Sequence, residues 1–309
     1  VRLERILALI IAIACVVAAI GNWVSGAPPE AAQRSSGGKA EVALLEIYGQ
    51  ISDSATGGGP LSSPTGTNAN TVIRQIRQAR EDGVKAILLL INSPGGTAAA
   101  SQAIYDELMR LRQETNTKVV AALGDVAASG GYFVASAADH IVANPASVTG
   151  SIGVIVRTQN ISPLLDKLGI KSSSIQSGPY KDILSPYRDT SATERNIIEG
   201  IVMDSYQQFL KAIVAGRGIS LEQLRPLADG RIFTGSQALK VKLVDSLGNS
   251  HTALDKTAEL ANIKGEPRTR NYSSGSIWGS FFPSFENLIP GYQQAQQVRW
   301  NKIPLALME

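Results

Sequence analysis

The chain has 309 residues, 44% of them hydrophobic and 18% charged, with a formal net charge of +3. This is ample apolar material for a buried core and too ordinary a composition for a disordered protein. The near-neutral balance, with no basic run carrying interleaved aromatics, gives no support to nucleic-acid binding, and the single cysteine, Cys15, leaves no disulfide framework or cysteine-based metal site in the rest of the chain.

In chain order, residues 6–24 form an apolar run preceded by Arg2 and Arg5. Its length just crosses a bilayer, and the arginines would hold the N-terminus on the cytoplasmic side. The small residues Ser25, Gly26 and Ala27 also suit a cleaved signal peptide, but the run exceeds a usual signal core, which favours an uncleaved anchor over residues 1–25. Residues 26–40, rich in Gly, Ser, Ala and Pro, read as a flexible tether. A globular domain is expected over residues 41–264. Beyond it, residues 265–309 scatter Trp278, Phe281, Phe282, Phe285 and Tyr292 among Gly, Ser, Pro and Gln, as in an interface, membrane-contacting or flexible tail.

Within the domain, residues 42–48 (VALLEIY) predict a strand and residues 49–70 a surface loop. Val72, Ile73, Ile76 and Ala79 are spaced for a helix over 71–81. The continuous run AILLLI (86–91) predicts a strand buried on both faces of a parallel sheet. The turn NSPGG (92–96) ends it, and a helix carrying Ile104, Leu108 and Leu111 on one face follows. A strand over 118–123, a turn and short helix at Ser129, a strand around 141–143 and another over 151–156 continue the alternation. Residues 192–216 predict a long amphipathic helix, and Asp204, Asp229 and Asp245 show no metal-ligand clustering. Strands alternating with helices indicate an α/β domain with mostly parallel strands.

Ser129 lies in AASGG, where little side-chain bulk surrounds its hydroxyl. Both AASGG and NSPGG follow a strand and precede a helix, which puts them at the C-terminal edge of the sheet, where sites tend to lie. Gly96 and Gly130 can then supply converging N–H donors to an oxyanion. The competing reading makes Ser129 an N-cap and the glycines a turn. The nucleophile needs a base. Of the two histidines, His140 falls at the far end of the helix that Ser129 would open, about 16 Å away, and His251 suits a helix start. Lys181, in SGPYKDILSPYR, is the remaining candidate, either as a solvated surface lysine or, with its pKa lowered by burial, as a base.

Five segments in order, NSPGG, AASGGYF, TGSIGV, SGPYKDILSPYR and ADGRIFTGSQALKVKLVDSLG, resemble the bacterial signal peptide peptidase A (protease IV) family in its short, membrane-anchored form, over residues 42–263. The resemblance implies the ClpP/crotonase-like spiral fold and a serine peptidase that needs no metal or other cofactor. Ser129 would be the nucleophile and Lys181 the general base. Ser151 would orient the lysine, with Gly96 and Gly130 in the oxyanion hole. It further implies a homo-oligomeric ring in which Lys181 serves a neighbouring protomer, and a single-pass protein with its catalytic domain on the extracytoplasmic side of the bacterial membrane. The implied substrates are released signal peptides and other short apolar peptides. A regulatory membrane-protein protease on the same fold, or a peptide-binding ring with an idle dyad, are the alternatives. The apolar C-terminal residues 302–309 are themselves of the kind such an enzyme would trim.

Overall fold

An apolar run such as AILLLI can be buried on both faces only if helices cover both sides of its sheet. The computed structural model describes residues 39–53 and 66–273, and it has that arrangement. The chain opens with strands β1 (Val42–Tyr48), β2 (Gln50–Ser52) and β3 (Gly66–Asn68), then helix α1 (Ala69–Glu81), which Asn68 caps by accepting from the Thr71 N–H. Strand β4 (Ala86–Ser93), helix α2 (Ala98–Glu114), strand β5 (Lys118–Ala128), helix α3 (Gly130–Ala135) and strand β6 (His140–Ala143) follow. Next come β7 (Val148–Gly150), α4 (Ser162–Lys167) and the long α5 (Ala192–Arg217), which ends at Gly218 in the left-handed conformation. The elements α6 (Leu221–Leu224), β8 (Ile232–Thr234), α7 (Gly235–Lys240), β9 (Ser246–Leu247), α8 (Ser250–Leu260) and β10 (Thr269–Asn271) complete the described chain.

The main path of the sheet runs β10-β1-β4-β5-β6-β9, every neighbour parallel. Strand β5 is shared between two neighbours. Its first half pairs with β6, whereas residues 126–128 pair with β7, which in turn pairs antiparallel with β8. The hand-over falls at Gly124, where the β4–β5 register shifts and the Asn92 side chain accepts from the Val126 N–H instead. Beyond that point β5 carries the chain to Ser129.

Side chains alternate between two cores. Ile87, Leu89 and Ile91 of β4 pack on one side with α1, α2, α3 and the C-terminal half of α5, and Ala86 and Leu88 pack on the other with α8. Leu89 is fully buried. Leu89→Ala is therefore expected to destabilise the domain by about 2–5 kcal/mol, read from the urea midpoint at unchanged slope.

The structure corrects several expectations. Residues 151–156 form no strand: the extended chain stops at Gly150, because Gly150 and Ser151 both take positive φ (79° and 50°). Of the apolar residues in that stretch Ile152 is buried, but Ile155 and Val156 are exposed. The helix after Ser129 ends at Ala135, so His140 is not on it but opens β6, opposite Val120 of β5. Nine steps along the strand lead from Val120 to Ser129, on the order of 30 Å at ~3.3 Å each. His140 is bonded to Ser246 there, and burial holds its pKa below the ordinary value. The expected loop over 49–70 contributes strands β2 and β3, and residues 269–271, assigned from composition to the tail, pair as β10 with β1. The expected membrane anchor, tether and most of the tail lie outside the described residues. Among the described residues no helix is long and apolar enough to cross a membrane.

Candidate active site

The site is assembled where β4 and β5 end. Ser93, buried at the end of β4, donates to the Gly49 carbonyl at 2.6 Å and accepts from the Gly95 N–H at 3.1 Å, which folds NSPGG back over the strand edge. Strand β2 clamps the turn from outside: Ile51 N–H donates to Gly95 O, and Thr97 N–H to Ile51 O, each at 2.9 Å. Gly96 lies so close to Ile51 that a Cβ there would stand 1.8 Å from the Ile51 carbonyl oxygen. Gly95 has φ +104°, and a Cβ on it would meet the Gly130 nitrogen at 2.7 Å and the Ser129 Cβ at 2.8 Å. The two glycine turns are thus in direct contact.

Ser129 links β5 to α3 with φ 51° and ψ −120°, a conformation that costs a non-glycine residue about 1–3 kcal/mol. It occupies the N-cap position, but its hydroxyl caps nothing. What holds the strain is the backbone, where Ser129 N–H donates to Gly150 O and Phe133 N–H donates to Ser129 O, both at 2.8 Å. Helix α3 is itself locked, with the Phe133 ring stacked 4.7 Å from Phe209 and the buried Tyr132 hydroxyl donating to Leu243 O at 2.7 Å. Among the described residues the N–H groups of Gly96 and Gly130 have no acceptor. A Cβ on Gly130 would lie 3.1 Å from the Gly96 nitrogen and 2.3 Å from Ser101 Oγ. A strained serine between a strand and a helix, beside two unspent backbone donors, is an arrangement that can present a hydroxyl as a nucleophile elbow does.

Ser151 follows Gly150, whose carbonyl receives the Ser129 N–H, and it is anchored by its own N–H to Arg231 O at 2.8 Å. The structure therefore brings together Ser129, Ser151, Gly96 and Gly130. Lys181 is not joined to them by any hydrogen bond or ion pair among the described residues. It stands exposed in a turn closed by its N–H to Gly178 O. His251 is exposed in the first turn of α8, its N–H held by the Asn249 cap. Asp229 pairs with Arg231 and Asp245 with Arg217. Among the described residues no group of His, Cys, Asp and Glu could hold a metal ion. Sequence reading missed Ser101 and the clamp from Ile51, since only the fold puts them against the glycines. Gly95 was legible as the first of a glycine pair after a proline.

Comparison with known proteins gives this geometry a family. The sequence profile of peptidase family S49 matches residues 111–264, and that of Clp protease matches residues 61–148. The chain is 41% identical over 223 residues to the putative protease slr0021 of Synechocystis, covering 72% of this chain and 75% of that one. It belongs to peptidase family S49. Within S49 it is also 37% identical to the putative signal peptide peptidase SppA of Enterococcus faecium, over 70% of this chain and 62% of that one. A third relative, the chloroplastic serine protease SPPA of Arabidopsis thaliana, is 35% identical over 74% of this chain and 33% of its own. The S49 chain is accordingly a serine peptidase of the signal peptide peptidase A type, and its mixed α/β domain with a mostly parallel sheet is of the kind expected for the ClpP-like group.

Proposed function

We propose that this S49 peptidase cleaves apolar peptides through a Ser129–Lys181 dyad and an acyl-enzyme. The observation that carries the proposal is Ser129 itself, held in a strained conformation beside the unspent N–H groups of Gly96 and Gly130. Neutral Lys181, oriented by Ser151, takes the Ser129 proton as Oγ attacks a peptide carbonyl, and the two glycine N–H groups receive the developing oxyanion. The lysine returns the proton to the leaving amine as the C–N bond breaks. Water, deprotonated in the same way, then releases the acyl group and restores the serine.

Among the described residues of one protomer Lys181 makes no hydrogen bond to Ser129 or Ser151, so the dyad is completed between neighbours in a homo-oligomeric ring. In support, the segment of chain that carries Lys181 also carries Leu168, Ile170 and Ile175, apolar side chains at least half exposed that favour a protein partner. The domain is tethered by residues 26–40 to a membrane anchor over residues 1–25, on the extracytoplasmic side. There it degrades released signal peptides and other short apolar peptides, whose small side chains suit a site fringed by glycine and alanine.

The test is covalent. A fluorophosphonate should add one adduct, mapped by mass spectrometry to the peptide containing Ser129, and Ser129→Ala should stay unlabelled. An adduct on another serine, or equal labelling of the variant, would remove the assignment.

A further inference from the structure

Between residues 153 and 193 no residue is buried, so no hydrophobic core fixes where Lys181 stands. Polar contacts do this instead. Asn160 donates to Asp189, the Ile161 N–H to Pro186 O, and Ser174 to Asp182. Five further contacts converge on one side chain. Arg188 Nε and Nη2 donate to the two oxygens of Asp182 at 3.0 and 2.6 Å. Its Nη1 and Nη2 donate to the two oxygens of Glu194, and Nη1 also donates to the Asp189 carbonyl at 3.0 Å. A guanidinium carries five N–H donors in a fixed fork, and these contacts occupy all five.

The cluster is anchored at one end only. The Glu194 side chain is 3% exposed, and its Oε2 also accepts from the Ser191 N–H and hydroxyl, each at 2.9 Å, in the capping box that starts α5. The far half of α5 reaches the main core through Phe209, Leu210 and Ile213. At the other end, Asp182 directly follows Lys181. Isolated surface ion pairs contribute little. This one differs, because two carboxylates are each gripped at both oxygens and one of them is buried.

We propose that Arg188 is the positioning residue of the general base, tying the Lys181 turn through Asp182 and Glu194 to α5 so that the lysine is presented at a fixed place to the serine it serves. The inference rests on Lys181 being that base. Hydrogen bonds from Arg188, foremost among the causes, hold the Glu194 carboxyl down to about 2 and the Asp182 carboxyl well below its ordinary value. Depressed carboxylates lose their pairing only as pH falls through the folded pKa, so the clamp is constant across any neutral or alkaline assay.

The experiment compares Arg188→Gln, Arg188→Lys and Lys181→Ala in the full chain on one apolar peptide. Arg188→Gln should lower kcat by about 10- to 100-fold, as a misplacement near 1 Å does, with KM within about twofold. Arg188→Lys, which keeps the charge but not the fork, should fall between it and wild type. Mixed assemblies locate the defect: Arg188→Gln should regain activity with Ser129→Ala, whose arm is intact, and not with Lys181→Ala. Wild-type kcat in Arg188→Gln while Lys181→Ala is dead would overturn the positioning role and leave the dyad standing. Equal recovery in both mixtures would overturn it too. A fully active Lys181→Ala would instead remove the base assignment and the inference with it. If Arg188→Gln fails to fold, Arg188→Lys decides alone, and an unchanged kcat there is the overturning result.

Discussion

Alanine at Ser129 or at Lys181 is expected to lower turnover of an apolar peptide by on the order of 10⁴-fold or more, and the two inactive variants are expected to recover part of it when mixed. In the proposed dyad the first loss removes the nucleophile and leaves only the Gly96 and Gly130 donors, which can hold a carbonyl but cannot open it. The second leaves a hydroxyl with no group to take its proton, and the described residues offer no substitute, since His140 is at the opposite end of β5 and His251 is exposed in the first turn of α8. Recovery follows because each mixed assembly contains Ser129 of one variant facing Lys181 of the other. Hydrolysis of a fluorogenic peptide by the two variants, separately and after co-assembly, reads all three values. Inactive variants with no recovery would place both groups in one protomer. An active Ser129→Ala would move the site altogether.

Gly96→Ala and Gly130→Ala both keep the backbone N–H, but the clash of the new methyl is expected to displace it and lower activity by about 10²- to 10³-fold, as losing one oxyanion donor does. They should differ in whether a second change repairs them. At Gly130 the new methyl would meet Ser101 Oγ at 2.3 Å, whereas the next atoms are 3.1 Å away or more, so removing that oxygen in Gly130→Ala/Ser101→Ala should restore much of the activity. At Gly96 the obstacles are backbone atoms of Ile51, at 1.8 and 2.6 Å, which no side-chain change can trim. Either β2 or the donor must move, and unfolding should show an added cost of about 1–3 kcal/mol. Restored activity in Gly96→Ala through any substitution of the Ile51 side chain would contradict this account. So would a Gly130→Ala/Ser101→Ala enzyme no better than the single variant.

The elements that periodicity and apolar runs reveal were legible in the sequence. AILLLI, the spacing of Ile104, Leu108 and Leu111, and the turns after each strand read as the α/β sheet that the structure has. Short strands escaped. Strands β2, β3, β8 and β10 have three residues each, too few for any period; β8 and β10 add to strands of the main sheet, and β2 and β3 pair with each other. The same limit explains residues 151–156, whose apolar residues carry the composition of a strand although Gly150 and Ser151 turn the chain away from any partner. At the site, Ser129 and both glycine pairs stood out by their small size. The strain at Ser129 did not, because the carbonyl of Gly150, twenty-one residues further along, maintains it. The grip of Arg188 on Asp182 and Glu194 was hidden inside a segment that looked like ordinary polar loop.

The strand order also sets a timetable for the chain as it is made. Strands β4 and β5, and with them Ser129 and both glycine turns, have been synthesised by residue 150, yet β7 gains its outer partner only at Ile232–Thr234. The outer edge of β1 stays unpaired until Thr269–Asn271 is made, 227 residues after the start of the strand that it covers. Contacts that distant close slowly and leave an open strand edge in the meantime. A ribosome must therefore finish nearly the whole domain before the sheet that braces the serine is closed, and a half-made chain carries Ser129 without the frame that holds it.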